Sequence, residues 1–391
     1  MYVLTHRTAG PDGSVIRTAL RLTVLCLALI GSSAWAGPLP PIKTVFLIIM
    51  ENQPWSSIQG NPSAPYINSV LIPQSSLCTA YFNSAAVAHP SLPNYIWLEA
   101  GTNFNIVGNG DPLAHHQDST NHLATQLKNA GVSWRAYQED ICGNEVPLTN
   151  TNLYAARHNP FVFFDDVTDT NNPACAYAIS HIRPYGELAA DLNHNTVARY
   201  NFITPNLCHD MHDYCPPTYD QINQGDEWLS TEIPKILASK AYQDGGAIFL
   251  TWDEPGIAGY SPIGMIVLSP FAKGGGYPSP VQVSHSSTLR TMQEIFGVGP
   301  LLGEAATAQN LSDLFVSRSL NGRHLANGGF FLTADGFMPG KLQIIETSTN
   351  LINWSPISTN LPSGTRFSHT DFPANQGGQR FYRVVEAKNQ P

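Results

Sequence analysis

Val45-Phe-Leu-Ile-Ile-Met-Glu-Asn52 decides the fold: six apolar residues without alternation, closed by a carboxylic acid and an amide. An unbroken apolar run of strand length suits a strand covered on both faces, as in a parallel sheet packed between helices. A half-exposed strand alternates instead. Residues 247–252 and 263–268 repeat the pattern, and residues 133–137 and 199–204 repeat it more weakly. Between these runs lie helix-like segments at 121–130, 227–240 and 287–296, the first and last followed by Gly131 and Gly297, which suit a helix end. From about residue 44 to 314 the order of strand-like and helix-like segments therefore predicts an α/β domain with a mainly parallel sheet flanked by helices.

Beyond Gly322 the composition turns to Thr, Asn, Ser and Gly, with short alternating runs at 341–345 and 380–384. This predicts a small antiparallel β module over residues 323–391. At the other end, Arg17 and Arg21, an apolar run over 22–30 and Ala34-Trp-Ala36 form the charged, apolar and cleavage regions of a secretory signal. Cleavage is expected after Ala36, leaving a catalytic domain over 37–322 in a secreted or periplasmic protein. The apolar run is too short to span a bilayer, so no integral membrane segment is expected in the mature chain.

The chain has 391 residues, 42% hydrophobic against 13% charged, which suits a large buried core and excludes a disordered or coiled-coil protein. Its formal charge of -9 and the absence of any Lys/Arg run exclude a nucleic-acid partner. Cys26 leaves with the signal, and five cysteines remain. Cys208 with Cys215 is expected as a local clip and Cys142 with Cys175 as a loop staple, leaving Cys78 over.

Glu51 and Asn52 follow directly on the first apolar run, and Asp253 and Glu254 follow directly on the run 247–252. Both pairs are expected at the carboxyl edge of the sheet, where open α/β sheets bind their ligands. Three carboxylates brought together repel one another unless a cation or shared protons compensate. Their hard oxygens suit Mg, Ca or Mn, and Zn if histidines join. Solvated loop ends or helix caps are the alternative. Ser91, in His89-Pro-Ser-Leu-Pro-Asn-Tyr95, precedes a proline-initiated helix over 93–100 ended by Gly101. It is either a helix cap or a nucleophile placed where backbone N–H groups favour a phosphate. Asn206-Leu-Cys-His-Asp-Met-His-Asp213 puts His209, Asp210, His212 and Asp213 on one loop, as metal ligands, phosphate contacts or a polar surface loop clipped by cysteines. His285 carries a weaker local signal. His115, His116, His122 and His158 read as structural or exposed.

Met50-Glu-Asn52, His89 to Tyr95, Arg157-His-Asn-Pro160, Asn206 to Asp213, Gly225-Asp-Glu-Trp228 and Thr251-Trp-Asp-Glu254 together resemble, in order and spacing, the phosphoesterase family of acid phosphatases and phospholipases C. That family lies within the alkaline-phosphatase-like superfamily, and the likeness covers about residues 44–299. The run from Ser91 to Gly101 is also similar to the nucleophile segment of nucleotide pyrophosphatases, which carry threonine in place of the serine. The resemblance implies a phosphate-ester substrate, Ser91 as nucleophile, and Glu51, Asn52, Asp253 and Glu254 holding at least one divalent metal (Zn, Ca, Mg or Mn) beside it. It further implies Asn94, His89 and Asp210 as substrate contacts and His212 or His285 as the group that protonates the leaving oxygen.

Glu51-Asn52 stands where Asp is usual in metal-rich members of the superfamily, and Asp253-Glu254 where Asp-His is common. One metal site beside a histidine-lined phosphate pocket is therefore expected. A phosphomonoester is the expected substrate, a phospholipase C-type diester the runner-up, and an inactive extracellular binding protein the reading from another class. The C-terminal module resembles a β-rich appendage of exported bacterial proteins, which implies attachment or presentation.

Overall fold

The central sheet carries eight strands: β1 (Thr44–Met50), β2 (Ser76–Cys78), β3 (Trp134–Gln138), β4 (Ile182–Pro184), β5 (Tyr200–Thr204), β6 (Gly246–Trp252), β7 (Met265–Leu268) and β8 (Tyr277–Ser279). This is a computed structural model, and it describes residues 4–7, 37–87, 89–256, 259–372 and 379–387. The strand order is β8-β2-β7-β6-β1-β5-β3-β4, with every neighbouring pair parallel except those made by β7, which runs antiparallel to β2 and β6. The mainly parallel α/β architecture read from the apolar runs is the observed one. Strand β1 is central, and Phe46 to Met50 are buried to 1% exposure or less, because helices cover both faces.

The helices of this unit include α1 (Ser91–Ala100), α2 (Leu123–Asn129), α3 (Leu188–His194), α4 (Gln221–Ala238) and α5 (His285–Phe296), of which α1, α4 and α5 carry or brace the site. Helix α1 is buried along its whole length and packs on α5. It ends at Gly101, in the left-handed conformation with φ 67°. A Cβ there would also lie 2.6 Å from the Leu302 carbonyl, so both dihedral and space call for glycine. Helix α4 starts at Gln221, six residues before its expected start at 227. The Asp220 side chain accepts from the Ile222 and Asn223 N–H groups and caps it there, and the helical pattern carries through Gly225 despite that residue's poor propensity.

The described residues fall into two compact units, one within 37–317 and the other made of those after 317 together with Leu4–Arg7. In the second, Ser319–His324, Phe330–Asp335 and Phe367–Asp371 make an antiparallel sheet. Leu4–Arg7, Gln379–Glu386, Gln343–Ser348 and Ser355–Asn360 make another. Leu320, Phe330, Leu332, Phe337, Ile345 and Tyr382 form its apolar core. The boundary lies at 317/318 rather than 322/323, because the strand starting at Ser319 pairs with Phe330–Asp335. The residues expected to carry the signal, Arg17 to Ala36, lie outside the described ones. The strand Leu4–Arg7 lies upstream of that expected cleavage point. Among the described residues no helix is long and apolar enough to cross a membrane.

Cys208 and Cys215 form the expected local disulfide. The expected Cys142–Cys175 staple is not formed. Cys142 is exposed on the loop after β3, while the Cys175 thiol donates to the Val167 carbonyl at 3.4 Å. Spacing alone could not say that these two loops keep their sulfurs apart.

Candidate active site

Strands β1 and β6 pair in register from Thr44↔Gly246 to Met50↔Trp252, so the next residue on each, Glu51 and Asp253, emerge side by side. The Asp253 N–H donates to the Met50 carbonyl at 2.9 Å, and the Glu51 N–H to the Asp210 carbonyl at 2.7 Å. Three chain segments are thereby tied together at the carboxyl edge of the sheet. Glu51, Asp210, Asp253 and Glu254 are all fully buried there. Asn52 turns the chain in the left-handed region with φ 48° and donates its backbone N–H to Asp253 Oδ1 at 3.1 Å. One atom of its amide lies 2.8 Å from Glu254 Oε1 and 3.2 Å from Glu51 Oε2.

Ser91 is the first residue of α1; Pro90 holds the cap position, and no side chain caps the helix. The Ser91 hydroxyl, 2% exposed, donates instead to Glu51 Oε2 at 3.0 Å. That resolves the choice between a capping serine and one facing the acidic cluster. The helix end itself offers fewer amide donors than expected. Pro93 has none, and the Leu92 N–H goes to Asn109 Oδ1 at 3.0 Å.

Burial drives the electrostatics. It pushes the Glu51 carboxyl well above its usual range, with Asp253 and Asp210 adding to the rise. It lifts Asp210 likewise, opposed by the His212 N–H, and raises Asp253 to about 7. Glu254 rises to about 9 through burial and the charge of Asp253. Glu51 Oε1, Asp210 Oδ2, Asp253 Oδ2 and Glu254 Oε2 are buried without a hydrogen-bond partner. Such a cluster calls for protons or a cation.

The loop after β5 adds the second half of the site. Met211 sits at φ 77° with its sulfur accepting from Trp252 Nε1 at 3.4 Å. It fits only because α4 presents Gly225, where a Cβ would lie 2.4 Å from Met211 Cγ. In the same helix Asp226 accepts from the Tyr66 and Ile67 N–H groups, so the Gly225-Asp226 pair is a packing element. His212, held by its own N–H to Asp210 Oδ1 at 2.8 Å, presents its ring to Glu51 and His158. The ligand atoms of Glu51, His158 and His212 lie within 4.8 Å of one another. Arg157 Nη2 donates to His212 Nε2 at 3.3 Å, so Nδ1 carries the ring proton and donates to Asp213 Oδ1 at 2.6 Å. His209 turns away, to Glu139 Oε2 at 2.8 Å.

His158 is the site residue that the sequence reading passed over. It is 2% exposed, with Nε2 3.1 Å from Glu51 Oε1 and Nδ1 3.3 Å from Asp210 Oδ2, and it stacks on Tyr95 at 5.2 Å between ring centroids. Burial, then the Arg157 and His212 charges, hold it well below the usual histidine range. Its signal in the sequence is the Arg157-His-Asn-Pro160 motif, which carries meaning only through the family resemblance.

The remaining candidates are placed differently. His285 is fully buried and both its ring nitrogens are occupied, Nε2 donating to the Asp253 carbonyl at 2.6 Å and Nδ1 facing Tyr81 Oη at 3.0 Å. It braces the strand end that carries Asp253. The Asn94 amide is likewise engaged, donating to the Pro90 carbonyl at 3.0 Å and accepting from Asn83 at 3.2 Å. His89, whose side chain is 55% exposed, pairs through Nδ1 with Glu254 Oε1 at 2.6 Å.

A family model described as the phosphoesterase family matches residues 61–299. A phosphatidylinositol-3-phosphatase of Mycobacterium tuberculosis is 28% identical over 313 residues, covering 78% of this chain and 96% of that protein. The phosphate-repressible acid phosphatase of Penicillium chrysogenum is 29% identical over 191 residues, covering 48% and 42%, respectively. Phospholipase C A of M. tuberculosis is 24% identical over 282 residues, covering 59% and 50%. The chain thus spans about half the length of the last two relatives. Because the family match runs across more than half of the sequence, from before Ser91 to beyond Glu254, this chain belongs to the phosphoesterase family.

Proposed function

We propose that this phosphoesterase, a hydrolase of phosphoric ester bonds, is a secreted, metal-dependent phosphomonoesterase that works through a phosphoserine on Ser91. The observation that carries the reading is the Ser91 hydroxyl donating to Glu51 at 3.0 Å inside a group of four buried carboxylates. A serine hydroxyl is a weak nucleophile unless a base or a cation lowers its pKa.

The donor set fits a divalent cation. The carboxylate oxygens without partners belong to Glu51, Asp210, Asp253 and Glu254, and the Asn52 amide reaches two of these residues at 2.8 and 3.2 Å. As an oxygen that amide atom shares a cation with the carboxylates; as a nitrogen it donates to both. Glu51, Asn52, Asp253 and Glu254 would hold the cation next to Ser91, which faces Glu51 Oε2, while His158 faces Glu51 Oε1 with His212 beside it. When bound, the cation supplies positive charge that acidifies the serine and neutralises phosphoryl oxygens. Zn, Mg, Ca and Mn all accept this mixture of oxygen and imidazole donors.

In the proposed reaction Ser91 Oγ attacks phosphorus in line with the ester oxygen, and its proton passes to Glu51 Oε2. The Oγ–P bond forms as the bond from phosphorus to the leaving oxygen breaks. Of the two histidines expected to protonate that oxygen, we assign the step to His212: its Nε2, which accepts from Arg157 in the resting ring, takes up the proton held by Glu51 and delivers it to the leaving oxygen. Water then attacks the phosphoserine, releasing phosphate and returning the proton to Ser91.

Replacing Ser91 with Ala and quenching the wild-type enzyme in mid-turnover test the reading together. The expected results are loss of turnover in the variant and a phosphoryl group on the wild-type peptide containing Ser91. A variant that still hydrolyses esters at the wild-type rate would sink the nucleophile assignment. The module after residue 317 is proposed to present the enzyme, not to take part in chemistry.

A further inference from the structure

The catalytic unit carries a cavity of about 310 Å³ that the proposed reaction does not use. Two short parallel strands, Tyr81–Phe82 and Val283–Ser284, bring Asn83 and Ser284 to its wall, and Glu304, Thr307 and Gln309 line it as well. Its frame is held by groups already described. Asn83 donates to Asn94 Oδ1 at 3.2 Å, on the helix that Ser91 begins. The Ser284 N–H donates to Ser287 Oγ at 3.2 Å, one residue before His285, which holds the Asp253 carbonyl. Polar groups fixed in this way bind a ligand with little ordering cost.

Among the described residues the lining contains no lysine, arginine or histidine and a single carboxylate, that of Glu304. An anionic ligand therefore finds no charged partner there. The amides of Asn83, Gln282 and Gln309 and the hydroxyls of Ser84 and Thr307 each donate and accept, as the hydroxyls of a neutral ligand do. Tyr260 adds an aromatic face. It is 50% exposed and stacks on Phe82, with ring centroids 5.0 Å apart and planes at 21°. Burial, then the Glu304 charge, raises its hydroxyl, so tyrosine and carboxylate share the cavity within electrostatic reach. A ring kept at the surface by a second ring beneath it offers an apolar plane, and the surrounding amides and carboxylate offer hydrogen bonds at its edge.

We propose that this cavity is a binding site for a neutral, hydroxyl-rich ring, a saccharide or a cyclic polyol, seated with its C–H face on Tyr260 and its hydroxyls on Gln282, Gln309 and Glu304. Such a ring is apolar on its faces and polar around its edge, which is the pattern of the lining. The site is separate from the carboxylate cluster and does not depend on the reading of Ser91 as nucleophile. No bond is made or broken in it.

The test uses the full chain and the probes methyl α-glucoside, methyl α-mannoside and myo-inositol, titrated and read by saturation-transfer NMR. The wild type should pass saturation to the ring C–H protons of at least one probe, with a dissociation constant of about 1–10 mM. A response to the glycosides or to inositol supports the proposal and tells which ring the site takes. Tyr260→Ala should weaken binding about tenfold or more, and Gln309→Ala about three- to tenfold. Neither should change the thermal midpoint or the monoester kcat. If Tyr260→Ala unfolds, Ala308→Trp decides, because it fills the cavity from the segment after Glu304 and should abolish binding. Transfer to none of the probes overturns the proposal, including the case in which tetramethylammonium binds instead and marks the site as one for cations. An affinity unchanged in Tyr260→Ala overturns it too. Ser91→Ala should bind the probes as the wild type does, so the failure of this proposal and that of the nucleophile assignment are read separately.

Discussion

The two units of this protein treat buried carboxylates in opposite ways. In the C-terminal unit Asp335 and Asp371 are each 9% exposed, and each has an arginine. Arg366 pairs with Asp335, and Arg380 approaches Asp371 at 3.3 Å while Tyr382 donates to it at 2.9 Å. In the catalytic unit Glu51, Asp210, Asp253 and Glu254 are buried completely, and the ion pairs of Glu51, Asp210 and Glu254 run to histidines. Burying a charge without a cationic partner costs several kcal/mol. The C-terminal unit meets its acids with arginines, whereas the catalytic unit leaves four buried carboxylate oxygens without a hydrogen-bond partner, which the proposed cation would satisfy.

Four experiments bear on that contrast. The largest effect is expected from Ser91→Ala, which should lower kcat by about a thousandfold or more while leaving the thermal midpoint unchanged, as measured by monoester assay and calorimetry. A drop in midpoint as large as the drop in rate would assign Ser91 to structure.

Next comes removal of the metal. Asp253 and Glu254 titrate at about 7 and about 9 in the folded chain, above their ordinary values of 3.8 and 4.5. A carboxyl raised on folding takes up protons, so its stabilising contribution is complete below about pH 4 and is lost as pH rises through 7 and 9. In chelator, the thermal midpoint of the catalytic unit should therefore fall steadily from pH 5 to pH 9, and activity should vanish. Added cation should restore both. A midpoint that rises over that range in chelator would show the acids to be satisfied in some other way.

Gly225→Ala tests whether packing far from the chemistry holds the second half of the site. The new methyl group meets Met211, whose neighbours are Asp210 and His212. Such overpacking is expected to cost about 1–3 kcal/mol and to lower kcat. Unaltered activity and stability would mean that the loop shifts freely. The smallest effect belongs to Arg366→Ala in the C-terminal unit. With a side chain 73% exposed, Arg366 should contribute less than about 1 kcal/mol, and turnover should not change.

How much of this was legible beforehand differs residue by residue. Glu51 and Asp253 could be placed because a buried parallel strand is a local apolar run, and its end is where that run stops. Ser91 at a helix start could be placed because Pro93 and Gly101 bound the helix in sequence. The local signals for His158 were weak, since its meaning depends on Glu51 and Asp210, 107 and 52 residues away. No local signal foretells that both ring nitrogens of His285 are engaged, by the Asp253 carbonyl and Tyr81, or that the Asn94 amide is tied to Pro90 and Asn83.

The sequence by itself determined the alternation of strands and helices, the change to β structure near residue 320, the carboxylates at two strand ends and the Cys208–Cys215 clip. All of these are set by periodicity, by breakers or by partners a few residues apart. Tertiary structure alone decided that β1 and β6 are neighbours in register, that Cys142 and Cys175 do not meet, and that His158 and Arg157 join the site. Those facts depend on which loops converge at one sheet edge. That convergence is governed by the burial of the whole core and by close fits such as Gly225 against Met211, not by local preference.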